Sequence, residues 1–307
     1  VSAYAARRIL TSIPTLLVIV TVAFFMMRIA PGGPFDRERA LPPEIEKNVL
    51  AAYDLDQPLL LQYADYLLGV LRGDFGPSFK YRDFTVAELL WTGFPASLKV
   101  GGIAIALAVV VGITLGTLAA LRQNSGVDYA VMATAMTGMT IPNFVMAPLL
   151  TLIFGVWLSW LPVAGWNGGA PRNLVLPVIA LALPQIAYIA RLTRGSMIEA
   201  LHANYVRTAR AKGLRERIVV VRHALKGALL PVVSYLGPAT AQVVTGSVVI
   251  ETIFGIPGIG RYFIQGALNR DYTLVMGTVI VFAVLIILLN LIVDLFYGLL
   301  DPKVKQR

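Results

Sequence analysis

Six runs of apolar residues, each long enough to cross about 30 Å of hydrocarbon as a helix, constrain this chain more than any other feature of it. They fall at about 9–30, 96–121, 130–157, 174–190, 228–250 and 274–300. A soluble domain of this length would need a charged exterior, typically about 25% charged residues. Here 57% of residues are apolar and 14% are charged, so lipid is the expected solvent. The first run follows Arg7 and Arg8 and superficially resembles a secretory leader. At about 22 residues it exceeds the apolar core of such a leader and lacks a small-residue cleavage site, so it is expected to remain as a transmembrane helix.

The charge pattern sets the expected orientation, because Lys and Arg are retained on the cytoplasmic side of short loops. Between the fourth and fifth runs lie Arg191, Arg194, Arg207, Arg210, Lys212, Arg215, Arg217, Arg222 and Lys226, against Glu199 and Glu216. That segment is expected in the cytoplasm, and counting runs outward from it puts both termini there too. The net charge of +9 thus reports a membrane, and no nucleic-acid partner is expected, because the cations sit between apolar runs instead of covering one polar face. The region 31–95 is too polar for lipid and carries ten acidic residues. Helix-like stretches at about 44–53 and 59–71, broken by Gly73 and Gly76, read as a small external helical cap.

Small residues recur every fourth position in the second run, at Ala104, Ala108, Gly112, Gly116 and Ala120. Such a stripe lets another helix approach closely, and interior packing is the favoured reading over a subunit interface. Prolines inside the runs, at Pro142, Pro148, Pro177, Pro184, Pro231 and Pro238, are expected to kink their helices.

The chain lacks the residues that most chemistry requires. It contains no cysteine, which removes disulfides, thiolate zinc sites and Cys nucleophiles. His202 and His223 carry no metal-binding spacing, so no metal site is expected. No Gly-Lys dipeptide occurs, which excludes a phosphate-binding P-loop, so any ATP hydrolysis must reside on another subunit. The glycines of Gly255-Ile-Pro-Gly258-Ile-Gly260 do not form a dinucleotide fingerprint, because Phe263 replaces the third glycine. Ionisable residues are nearly absent from the runs. Arg28 and Glu251 stand near helix ends, and Asp294 is expected to snorkel or pair with a basic residue and not to couple an ion. The chain is therefore not expected to be an enzyme.

The basic segment contains Tyr205-Val-Arg-Thr-Ala-Arg-Ala-Lys-Gly213, a helix-forming run ended by the favoured stop residue. A second helix is expected at about 218–230. A solvated basic loop near anionic lipid is the bland alternative, but Ala209, Ala211 and Gly213 favour close docking against a partner.

With these residues in view, the chain resembles the membrane subunits of ABC importers, whose cytoplasmic phrase reads Glu-Ala-Ala, three residues, Gly. Only Ala209 and Gly213 match that general phrase. The whole stretch from Tyr205 to Gly213 is similar to the corresponding phrase of the peptide (peptide/nickel) branch, as are Glu251-Thr-Ile-Phe-Gly-Ile-Pro-Gly-Ile-Gly260 and Asn269-Arg-Asp-Tyr272. Arg7-Arg8, Ala30-Pro-Gly-Gly-Pro34, Leu55-Asp-Gln-Pro58 and Gly73-Asp-Phe-Gly-Pro-Ser-Phe-Lys80 extend the likeness over essentially the whole chain, and Phe79-Lys-Tyr-Arg-Asp-Phe84 with the short Gly165-Trp-Asn-Gly-Gly169 loop resembles the oligopeptide permeases most.

The resemblance implies an all-α integral membrane protein with the type I ABC importer permease fold: a first helix at 1–30, an external cap at 31–95 and a five-helix core at 96–307. It implies a heterodimer with a second permease subunit, two ATP-binding subunits that hold ATP and Mg, and an extracytoplasmic peptide-binding protein. In such importers a docking loop, here about 191–228 with its helix at 203–213, meets the ATPase through Tyr205, Arg207, Ala209, Arg210, Lys212 and Gly213. Glu251, Pro257, Gly258, Gly260 and Asp271 are the corresponding external gate or loop candidates. Import of dipeptides, nickel or another peptide-like solute, or an ion-coupled peptide carrier, remain alternatives at this point.

Overall fold

The computed structural model describes residues 2–29, 55–81 and 83–300. The helix expected at about 44–53 and the side chain of Asp294 lie outside what is described. The described residues are almost entirely helical: α1 (Ser2–Ile29), α2 (Leu59–Leu71), α3 (Val86–Leu121), α4 (Gly126–Thr140), α5 (Asn143–Leu150), α6 (Pro171–His202), α7 (Asn204–Ala211), α8 (Glu216–Ile218), α9 (Leu225–Ala228), α10 (Leu230–Phe254), α11 (Ile259–Leu268) and α12 (Tyr272–Leu300). Among them five helices are long and apolar enough to cross a membrane, or six if the bent pair formed by Gly126–Thr140 and Asn143–Trp157 is one span.

The third apolar run is therefore not a straight helix, since its two halves meet at 107°. The break has a local cause. Ile141 precedes Pro142, whose ring disfavours helical geometry in the residue before it, and Ile141 is extended at φ −85°, ψ 118°. Beyond Pro148 the second half continues as a π-helix over Thr151–Trp157. The second run starts earlier than its apolar residues suggest, because α3 begins at Val86 and passes through Pro95. Thr85 caps it: its hydroxyl accepts from the Glu88 amide, and the Glu88 carboxylate takes the Thr85 amide in return, a capping box. The fourth run extends beyond its apolar part to His202, so Arg191 and Arg194 belong to α6 and not to a loop.

The helices group into two compact units. One comprises Arg8–Ser97 with Pro257–Leu285, so the first helix, the described part of the cap and α11 pack together. Its core joins Val86, Leu89 and Leu90 of α3 to Ile259, Tyr262 and Leu274. Helix α2 lies on α1 through aromatic contacts, with Tyr63 and Tyr66 at 5.3 and 5.9 Å from the buried Phe24 ring. The Tyr63 hydroxyl hydrogen-bonds Thr21 Oγ1 at 2.6 Å. Burial without a partner raises the pKa of the Tyr66 phenol above its ordinary value.

The other unit comprises the described residues of 1–7, 98–256 and 286–307. In it the small-residue stripe of α3 is buried against α6. A methyl at Gly112 would stand 2.8 Å from Ile189 Cβ, and one at Gly116 would collide with the Ala190 carbonyl oxygen. The two backbones approach this closely because neither glycine carries a side chain, so the stripe serves interior packing.

Candidate functional site

The basic segment folds as a helix, a tight turn and a second helical stretch. Helix α6 ends at His202, Ala203 adopts an extended conformation, and α7 begins immediately after it. Its sequence Asn204-Tyr-Val-Arg-Thr-Ala-Arg-Ala has two faces. Val206 and Ala209, three residues apart and so on one side of the helix, are buried in a cluster with Met197, Ala200, Val219, Val220, Ala224 and Ala228. The opposite side exposes Tyr205, Arg207, Thr208 and Arg210.

Lys212 caps α7, and Gly213 follows at φ +74°, a left-handed conformation that glycine adopts without Cβ strain. A Cβ there would meet no atom within 4 Å, so the turn projects into open space. Arg210 clamps the turn: its Nη2 donates to Glu216 Oε1 at 2.7 Å and its Nε to Oε2 at 3.2 Å. That guanidinium holds the Glu216 carboxyl below the usual carboxylate range. The exposed surface therefore carries Arg207, Lys212, Arg215 and Arg217 as cations with no ion pair among the described residues, while Arg210 is engaged by Glu216. Tyr205 lies across Gly227, where an added methyl would stand 2.8 Å from its hydroxyl.

The structure thus separates residues that the sequence pattern had grouped. Tyr205, Arg207, Lys212 and Gly213 form the outward surface, whereas Ala209 is turned into this chain's own core and positions the helix. Behind α7 the second helix expected at 218–230 is instead composite: α8, a π-helical stretch at Val219–Ala224, then α9. Its inward residues fill the same cluster as Val206 and Ala209, so a force on α7 reaches α6 through packed side chains.

One residue of this region escaped the sequence reading. Asp128, buried at the start of α4, accepts two hydrogen bonds from Arg194 of α6, Nε to Oδ1 at 2.5 Å and Nη2 to Oδ2 at 2.7 Å. It also accepts from the Asn124 amide at 2.9 Å. The pair fastens the first half of the broken span to the helix that leads into α7. Its local signal was present as Ser125-x-x-Asp128, a capping pattern in which Ser125 Oγ accepts the Asp128 amide, but nothing in the sequence joins it to Arg194.

The expected external gate residues are packing and capping residues in this conformation. Glu251 is buried in the last turn of α10, where Gly255 at φ +65° ends the helix and the Ile256 amide returns to the Glu251 carbonyl at 2.8 Å. Gly258 caps α11, and α3 approaches it so closely that a methyl on Gly93 would lie 3.0 Å from its carbonyl carbon. Pro257 is half-buried and Gly260 buried beside it. Asp271 is fully buried before α12 and accepts from four donors: Ser78 Oγ at 2.5 Å, the Lys80 amide at 3.2 Å, Thr273 Oγ1 at 3.0 Å and the Leu274 amide at 3.2 Å. Tyr81 adds a hydrogen bond to Gln265, and Lys80 Nζ one to Asn269. The motifs around residues 78–81 and 269–272, far apart in sequence, are one hydrogen-bonded joint.

Long apolar helices, one of them broken, with a helix and turn on a basic segment define a multi-pass membrane protein. The chain belongs to the family described as binding-protein-dependent transport system inner membrane component, whose model matches residues 112–306. It is 56% identical over 302 residues to the oligopeptide transport system permease protein OppB of Salmonella typhimurium, covering 98% of this chain and 99% of that one. It is 52% identical to the protein of the same description from Haemophilus influenzae, over 97% of this chain and 98% of that one. It is 46% identical to the dipeptide transport system permease protein DppB of Bacillus subtilis, over 98% and 97%. Among solved structures, the inward-facing MetNI methionine ABC transporter matches with a TM-score of 0.57 at 17% identity, covering 69% of this chain and 96% of that one. That likeness supports the type I permease fold.

Proposed function

We propose that this chain is a membrane-spanning subunit of an ATP-driven importer that moves oligopeptides inward across the bacterial cytoplasmic membrane. It pairs with a second, homologous permease subunit and works with two ATP-binding subunits and an extracytoplasmic peptide-binding protein. ATP and Mg are held by the ATP-binding subunits, and this chain contributes no catalytic group. Both termini and the segment at 191–228 face the cytoplasm. The observation that carries the coupling role is the two-faced α7: Val206 and Ala209 lock it to α6, while Tyr205, Arg207, Lys212 and Gly213 remain outward for the ATP-binding subunit. ATP biases such a switch only by its tighter binding to one arrangement of those subunits, and α7 transmits that difference as a rigid body. Similarity to OppB proteins over nearly the whole chain supports oligopeptides as the solute, and the somewhat lower identity to DppB keeps dipeptides as the second reading.

Reconstitution of the full set of subunits in liposomes tests this directly. Peptide entry should require ATP and the binding protein and should persist when an uncoupler removes ion gradients. Entry that collapses with the gradient at constant ATP would establish an ion-coupled carrier instead.

A further inference from the structure

Helix α10 is the least suited to lipid of the five candidate spans, with a mean hydropathy of 1.3 against 2.9 for α12, 2.5 for α3 and 2.2 for α1. Ser247 and Glu251 of this helix are buried, but several other polar residues are not, and only 28% of its apolar window is buried within the chain, against 61% for α6. Ser234, Pro238, Gln242, Thr245 and Thr252 are exposed, at spacings of three, four and seven that place them on one face. Among the described side chains of α12 the exposed ones are by contrast Val284, Leu288 and Ile292, all apolar.

The hydroxyls of that face donate to carbonyls of their own helix, Ser234 to Leu230 and Thr245 to Ala241, which lipid would tolerate. Gln242 is different. It lies at the midpoint of Leu230–Phe254, and its side-chain oxygen accepts Gln185 Nε2 at 3.1 Å, while its amide nitrogen has no hydrogen-bond partner among the described residues. Gln185 is itself buried and takes the Tyr235 hydroxyl at 2.8 Å, and the Tyr235 ring stacks on Tyr188 at 4.1 Å. A rigid support thus holds an unsatisfied amide outward near the middle of a span, where facing hydrocarbon carries a large desolvation cost. Arg191 stands over the Tyr188 ring at 5.2 Å, on the side toward Ala203.

We infer that the face of α10 centred on Gln242, braced by Gln185 and Tyr235, is this chain's wall of the solute pathway, and that it holds a passing peptide by its backbone amides. The inference rests on the oligopeptide reading above. Its chemistry is that of the peptide bond itself: the Gln242 amide donates to a carbonyl, and the hydroxyl oxygens of Ser234 and Thr245 accept an N–H. Neither contact depends on the peptide's side chains, so the wall admits varied sequences.

Because the chain has no cysteine, a single-cysteine variant carries this subunit's one thiol, and labelling is read on this subunit alone after separation from its partners. In membranes containing all subunits, Gln242→Cys and Thr245→Cys should react with a hydrophilic, membrane-impermeant maleimide at least about tenfold faster than the lipid-facing controls Val110→Cys and Leu288→Cys, since thiolate forms only in contact with water. Peptide supplied with its binding protein and ATP should slow that reaction. Rates equal to the controls would mean that lipid or a dry subunit interface covers the face, and would overturn the proposal. Labelling that peptide never slows would overturn the peptide-holding role. Import of a peptide N-methylated along its backbone should fall about tenfold relative to its unmethylated parent, the worth of roughly one hydrogen bond, and Gln242→Leu should narrow that ratio. An unchanged ratio in Gln242→Leu would also refute the role, whereas absence of ATP-dependent peptide entry in the wild type would refute the oligopeptide reading independently of the labelling.

Discussion

Gly213 and Asp271 show how a single residue fixes a junction in this chain. At φ +74° with open space around it, Gly213 is held for its backbone and for the surface it leaves clear. Replacing it with Val forces a branched side chain into the left-handed region, at about 1–2 kcal/mol, and adds bulk to the outward turn. Gly213→Val should insert normally yet lose coupling, read as loss of ATP hydrolysis stimulated by the peptide-loaded binding protein, while Gly213→Asn, which tolerates that conformation, should retain more of it. Normal stimulation and import by Gly213→Val would refute the docking assignment. Asp271→Ala would orphan the Ser78 hydroxyl and the Lys80 and Leu274 amides together. A loss of at least about 2 kcal/mol is expected, visible as a lower unfolding temperature and faster proteolysis near residue 80. The glycine could be read from the sequence as a helix stop. The joint around Asp271 could not, because its partners lie nearly two hundred positions away.

Among the elements, two helix pairings carry the part of the fold that leads to α7. The α3–α6 contact depends on missing side chains, so Gly116→Ala should push the helices apart and cost about 1–3 kcal/mol, measured as reduced thermal stability of the detergent-solubilised complex. The α4–α6 contact depends on the buried Asp128–Arg194 pair. Removing one partner of such a pair leaves an uncompensated charge and typically costs about 3–5 kcal/mol, reduced here because Arg194 is partly exposed. Asp128→Asn should therefore lower the yield of folded protein, and the exchanged pair Asp128→Arg with Arg194→Asp should recover part of it. No recovery would mean that hydrogen-bond geometry, more than charge, holds α4. The small-residue period of α3 announced its contact in the sequence, whereas an ion pair between two apolar runs has no period to announce it. A short helix such as α11 was hidden because an apolar count registers a glycine-flanked stretch only as loop, whereas the bend at Ile141 was announced by Pro142.

For the whole molecule, the consequence is that the residues solvated by lipid and the residues proposed for coupling are different sets. Apolar runs and cation placement need only local sequence to act, because a bilayer reads each segment by its own hydropathy and each short loop by its own charge. By those rules the sequence alone determined that the chain is a helical membrane protein and where its spans fall, to within a few residues at most ends. Which face of α7 points outward, which helices α4 and α6 fasten together, and that Gln242 is held exposed on Gln185 were decided only by the tertiary structure. Those choices depend on side chains meeting across helices remote in sequence, and hydropathy is the same whichever way such a side chain turns.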